Sequence, residues 1–182
     1  MAELIPALNQ IDQPLKAIIA PHELKKEKME SWRSLLKGTT MLYSEYKKAF
    51  DASQDIHPFD YLIIDNIGML SSLYRYSSIA YIGGSFGSGL HNILEAATFG
   101  VPILFGNKKY QRFQEARDLV EQGSAKAVAD TAEIKQYLNE WLINPEKRKT
   151  LGGISAEYVT SRAGATHVVM QAVRMLLGRK KS

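Results

Sequence analysis

Apolar runs and polar stretches alternate along the 182-residue chain in a way that separates strands from helices. Short aliphatic runs at residues 15–20, 39–44, 61–65, 81–82, 101–106 and 125–129 predict strands, those at 15–20 and 81–82 being read as buried. Between them, apolar residues recur at helical spacing: Leu24, Met29, Trp32 and Leu35 over residues 23–36, and Phe113, Ala116, Leu119 and Val120 before Gly123. Further helices are predicted at 2–9, 70–78, 131–142, 145–160 with Pro145 in the first turn, and 166–177, where Val168, Val169, Ala172, Val173, Leu176 and Leu177 share one face. Residues 50–59 read as irregular. Strands alternating with helices predict an α/β fold with a doubly wound, Rossmann-like parallel sheet, in which ligands gather at the carboxyl ends of the strands.

Composition narrows this picture. A hydrophobic content of 45% supports one domain over residues 1–182 with a core of its own. The lack of any run of eighteen apolar residues or of an amino-terminal export signal predicts a soluble chain. With zero cysteines there is no disulfide, thiolate metal site or cysteine nucleophile, and His57 beside Pro58 has no spaced partners to make a metal site. The net charge of +4 admits nucleic acid, an anionic membrane surface or a phosphorylated ligand as partner. Basic residues cluster at Lys25–Lys28, Lys47–Lys48, Lys108–Arg112 and Arg179–Lys181, while the aromatic residues are scattered and form no stacking platform for nucleic acid.

The chemistry is concentrated in one stretch, Tyr81-Ile82-Gly83-Gly84-Ser85-Phe86-Gly87-Ser88-Gly89-Leu90-His91-Asn92-Ile93-Leu94-Glu95. It reads as strand, glycine-rich loop and helix start, an arrangement whose backbone amides suit an anion. The dinucleotide fingerprint fails because Asn92 stands where its last glycine belongs, and no Walker lysine follows. Glu95 in the first helical turn suits a ribose diol, and Asn92 a phosphate or base edge; the competing reading makes the two residues a helix cap. Two further strand ends carry polar groups: Pro21-His22 after the first strand, and Lys108, Lys109 and Arg112 after the fifth, cations suited to a sugar carboxylate or diester phosphate.

At these residues the sequence resembles the nucleotide-sugar-binding half of the 3-deoxy-D-manno-octulosonic acid (Kdo) transferases. The resemblance runs from Tyr81 to Glu115: the Gly-Gly-Ser loop, His-Asn-x-Leu-Glu-x-Ala, Gly-x-Pro at Gly100–Pro102 and Phe-x-Glu at Phe113–Glu115. Asp65-Asn66-Ile67-Gly68-Met69-Leu70 is similar to the family's Asp-Thr-Met-Gly-Glu-Leu, and Gly164-Ala165-Thr166 to its carboxyl-terminal segment. Departures are His22 for arginine, Ile67 for methionine, Met69 for glutamate and Asn107 for proline.

The resemblance implies the carboxyl-terminal half of a glycosyltransferase B fold. The implied enzyme is an inverting transferase that moves Kdo from CMP-Kdo to a lipid A precursor in lipopolysaccharide synthesis, without metal or other cofactor, at the cytoplasmic face of the bacterial inner membrane. It also implies nucleotide contacts from Pro21, His22, Ile67, Gly68, Met69, Gly84, Ser85, Asn92, Ile93, Leu94 and Glu95, with Lys108 and Arg112 toward phosphate or sugar carboxylate. An acceptor domain with a glutamate base is expected upstream, so this chain is expected to be a donor domain truncated at its amino end, with no catalytic residue and no transfer activity of its own. A UDP-sugar transferase or epimerase of the same fold, and a non-enzymatic basic α/β binding module, are the alternatives.

Overall fold

A computed structural model of the chain describes residues 1–86 and 89–178, with the backbone alone for residues 165–168 and 178. Gly87 and Ser88 of the glycine loop and the Arg179–Lys181 cluster lie outside the described residues, as do the side chains of Thr166 and Val168. The expected α/β alternation is present, but the sheet is divided in two. Strands β1 (Ala17–Ile19), β2 (Thr40–Leu42) and β3 (Tyr61–Ile63) form one parallel sheet in the order β1-β3-β2. Strands β4 (Ala80–Ile82), β5 (Ile103–Gly106) and β6 (Ala125–Val128) form a second parallel sheet in the order β4-β5-β6. Ala17 pairs with Tyr61 and Ala80 with Ile103, so within each sheet all carboxyl ends point one way.

Two hydrophobic clusters hold the layers together, and β5 belongs to both because successive strand side chains point to opposite faces. Leu104 joins Ile19 and Ile63 of the first sheet, Ile5 and Leu8 of helix α1 (Leu4–Leu8), and Leu138 and Trp141 of the helix over Thr131–Leu142, which therefore ties the two sheets into one core. Ile103 and Phe105 point the other way, into a cluster with Ile93, Ala96, Leu119 and Tyr158. Every residue of β5 is buried, as expected of a parallel strand covered on both faces.

Helix boundaries follow local chemistry where a capping residue exists. The remaining helices, in chain order, are α2 (Lys26–Leu35), α3 (Tyr43–Asp51), α4 (Leu70–Leu73), α5 (Leu94–Thr98), α6 (Gln114–Glu121), α7 (Thr131–Leu142), α8 (Pro145–Arg162) and α9 (Ala165–Gly178). Asp130 accepts from the Glu133 amide at 3.0 Å while Glu133 Oε2 accepts from the Ala129 amide at 2.8 Å, a reciprocal cap that starts α7. Asn144 accepts from the Lys147 amide at 3.0 Å, with Pro145 at the first position of α8. Within α8, Gly152 allows a close backbone approach: a Cβ there would stand 2.0 Å from the Gly100 carbonyl oxygen at the end of α5.

Four expectations from the sequence need correction. The strand over 39–44 ends at Leu42, and α3 occupies Tyr43–Asp51, so Phe50 and Asp51 are helical where the sequence reads as irregular. The N-cap residue Leu42 has no side-chain acceptor; Glu45 Oε2 accepts from the Leu42 amide at 3.0 Å, and Ser44 is held from across the chain, its amide donating to Asp65 Oδ1 at 2.9 Å. The helix over 70–78 is a single α turn followed by a 3-10 turn at Tyr74–Tyr76. The first strand is only half-buried, with Ile18 43% exposed. Finally, α9 forms, yet Val169, Val173, Leu176 and Leu177 on its apolar face are exposed.

Candidate nucleotide-binding site

The carboxyl ends of β1 and β4 converge. Pro21 and His22 follow β1, the glycine loop and His91 follow β4, and the rings of His22 and His91 stack with centroids 4.6 Å apart and planes inclined by 26°. His91 in turn lies against the loop: a Cβ built on Gly84 would meet His91 Cδ2 and Nε2 at 3.1 Å and the Gly89 carbonyl at 2.0 Å. Gly84 has φ +93°, so this close, left-handed turn has room for glycine alone. Burial, and then the charge of His22, push the His91 pKa below the ordinary histidine value.

The loop closes partly on itself. The Gly89 amide donates to the Gly84 carbonyl and the His91 amide to the Gly83 carbonyl, both at 3.3 Å. At the helix start, Asn92 Oδ1 accepts from the Leu94 amide at 3.0 Å and Asn92 Nδ2 donates to Glu95 Oε1 at 3.1 Å. Asn92 therefore stands two residues before α5, in the capping arrangement that competes with ligand binding in the sequence reading, and α5 itself is only five residues long. Glu95 keeps its second carboxylate oxygen, and its charge adds to burial in pushing the Tyr74 pKa up to about 12. Three of the backbone donors expected to meet an anion, at Gly89, His91 and Leu94, are thus engaged within the protein.

The other expected residues fall into three groups. Ser85 is buried in the loop, and its hydroxyl has no hydrogen-bond partner among the described residues. Ile93 is fully buried in the core, so only its backbone faces the site, and Leu94 packs at the edge of the same cluster. Across the loop, the Phe86 ring lies against Gly106 and Lys108 Nζ stands 6.0 Å from that ring, which brings Lys108 to the β4–β5 side of the site. Arg112 is exposed at the end of a 3-10 turn, Tyr110–Arg112. Ile67, Gly68 and Met69 follow β3 on the chain: Ile67 is 88% exposed and the space beside Gly68 is open.

His91 is the residue that sequence reading passed over. It belongs to the motif string without a role there; the signal that could have found it is a second histidine just beyond a strand end, matching His22. Among the described residues no group of three or more histidine, aspartate or glutamate side chains could hold a metal ion, and no helix is long and apolar enough to cross a membrane. An open groove between α1 and α2, lined by Ile5, Pro6, Trp32 and Leu35, lies away from the strand ends that carry these polar residues.

Comparison with known proteins bears on the same residues. The chain is 29% identical over 146 residues, 79% of its length, to a 3-deoxy-D-manno-octulosonic acid transferase of Chlamydophila psittaci. It is 28% identical over 120 residues to that of Bordetella pertussis and 32% identical over 117 residues to that of Haemophilus influenzae. The chain is a relative of the Kdo transferases. The aligned stretch makes up 32%, 28% and 27% of those three Kdo transferases, so the chain spans about a third or less of the length it matches. The fold is shared with the C-terminal CMP-Kdo binding domain of WaaA from Acinetobacter baumannii, at a TM-score of 0.71 and 23% identity over 88% of this chain and 82% of that one. No family model matches the chain.

Proposed function

We propose that this chain is the donor-nucleotide-binding part of a Kdo transferase, which holds CMP-Kdo while the sugar passes to a lipid A precursor. The observation that carries the proposal is the stretch from Gly83 to Glu95, where similarity to Kdo transferases coincides with a loop at the carboxyl end of a parallel strand, with His22 drawn against it. In this reading Glu95 offers its second oxygen to the ribose diol. Asn92 holds Glu95 in place, and the open backbone at Gly68 lies toward the base.

Direct displacement at the anomeric carbon, with inversion, needs two things: a base to take the acceptor hydroxyl proton and positive groups to stabilise the departing CMP phosphate. This chain supplies the second, through His22, His91 and Lys108. The base belongs to the acceptor-binding part of the enzyme, so these 182 residues bind donor without transferring sugar. No metal or other cofactor takes part. The full enzyme works at the cytoplasmic face of the inner membrane, where its lipid acceptor resides.

Calorimetric titration with CMP, UDP and NAD tests the proposal. CMP is expected to bind tightest, and Glu95→Gln to weaken it about tenfold, the value of one lost charge-assisted hydrogen bond, with thermal unfolding unchanged. A preference for UDP would move the chain to the UDP-sugar enzymes of this fold, and a preference for NAD would remove both readings.

A further inference from the structure

The closed glycine loop raises a question of charge. A phosphate diester held at the end of β4 needs donors, and the amides of Gly89, His91 and Leu94 already donate within the protein. A five-residue α5 adds little dipole field of its own. What the site offers instead is two imidazoles in contact, His22 and His91, both exposed on their outer surfaces at the meeting of two strand ends.

We propose that His22 and His91 together form a proton-dependent clamp for the phosphate diester of the donor nucleotide, each imidazole giving an N–H to the anion. The proposal rests on the donor-nucleotide reading above and adds to it the ligand that replaces a permanent cation. A protonated imidazole carries donors on both nitrogens, whereas a neutral one carries a single donor. Two stacked imidazolium rings repel each other, so the doubly protonated pair is unfavourable alone and becomes favourable when an anion lies across both. Anion binding and proton uptake are therefore linked, and each strengthens the other.

From the β1 exit the group facing His91 is His22, stacked on it at 4.6 Å, whose charge adds to burial in lowering the His91 pKa. Glu23, next to His22, is paired with Lys25 at 2.7 Å and Lys28 at 3.6 Å. The glycine loop presents no titratable side chain at its contact with His91, and Glu95, beyond Asn92, is held by the Asn92 amide. On the far side of the loop, Lys108 stands over the Phe86 ring at 6.0 Å.

The test uses the methyl ester of CMP, a diester whose single negative charge is constant from pH 5 to 8, with cytidine as the phosphate-free control. The diester is expected to bind about fivefold tighter at pH 5.5 than at pH 7.5, the effect of a one-unit rise in imidazole pKa on binding, while cytidine affinity stays level. His22→Arg is expected to flatten the pH dependence by supplying a fixed charge, and the His22→Gln, His91→Gln pair to flatten it by removing the titrating groups. Binding of the diester that is independent of pH in the unsubstituted protein overturns the proposal. So does a pH dependence that survives in the double variant. If neither cytidine nor the diester binds, the donor-nucleotide reading falls, and sulfate titration followed by the histidine ring-proton resonances decides the clamp separately. Raised pKa values for both rings sustain it, and unchanged values overturn it.

Discussion

The two sheets have strands of similar length and the same parallel sense, yet they are buried very differently. In the β4-β5-β6 sheet, Leu104 is covered on one face by α1 and α7, while Ile103 and Phe105 are covered on the other by side chains of α5, α6 and α8. In the β1-β3-β2 sheet, Ile19 and Ile63 enter the core, Ile18 is largely open, and no residue of β2 is fully buried. The apolar content of the strands is alike, so the number of helices laid over each face makes the difference. The site sits where the two regimes meet: one histidine comes from the less buried sheet and the other from the glycine loop of the more deeply covered one.

The contrast can be broken most forcefully at the helix that clamps the second sheet. Gly152→Val drives a side chain into the Gly100 carbonyl and is expected to cost more than about 4 kcal/mol, read as failure to fold or collapse of the urea midpoint. Next in size, Phe105→Ala empties a site inaccessible to solvent and is expected to cost about 3–5 kcal/mol, whereas Ile18→Ala on the other sheet should cost less than about 1 kcal/mol. Equal losses at the two positions would erase the distinction between the sheets. Asn92→Ala removes the cap before α5 and is expected to cost about 1 kcal/mol in chemical denaturation.

The smallest expected effect is on the acid side. Tyr158 on α8 donates to Asp118 on α6 at 2.8 Å, and this bond, with lesser help from Gln114, Arg162 and Arg117, holds the Asp118 carboxyl below its ordinary value. A depressed carboxyl pKa stabilises the fold above the unfolded value of 3.8 and loses that contribution as pH falls through the folded one. Tyr158→Phe should therefore lower stability at neutral pH and converge with the unsubstituted protein in acid. A gap that stayed constant down to about pH 2 would assign the loss to packing instead.

Much of this architecture can be read from the chain alone, and the exceptions share a cause. The start of α7 is written in Asp130 and Glu133, that of α8 in Asn144 and Pro145, and β5 in an unbroken apolar run, because each depends on neighbours in sequence. Helix α3 is half hidden: Glu45 caps the Leu42 amide locally, but its N-cap is an apolar leucine and the groups that fix Ser44 belong to Asp65, far along the chain. The division of the sheet and the exposure of Ile18 depend on which faces are covered, which periodicity within one strand does not record. In the site, the positions of Asn92 and Glu95 are legible as a strand-loop-helix motif. Their mutual hydrogen bond and the stacking of His22 on His91 exist only once two strand ends have met.

Strand β5 is laddered to a neighbour on each side and sealed above and below. In heavy water its peptide protons are the ones that should survive longest, surrendering their signal only when the entire molecule opens, while those of β1 wash out through small local excursions. The chain carries its own clock, with the slow hand at its centre and the fast hand at the edge that leads to His22.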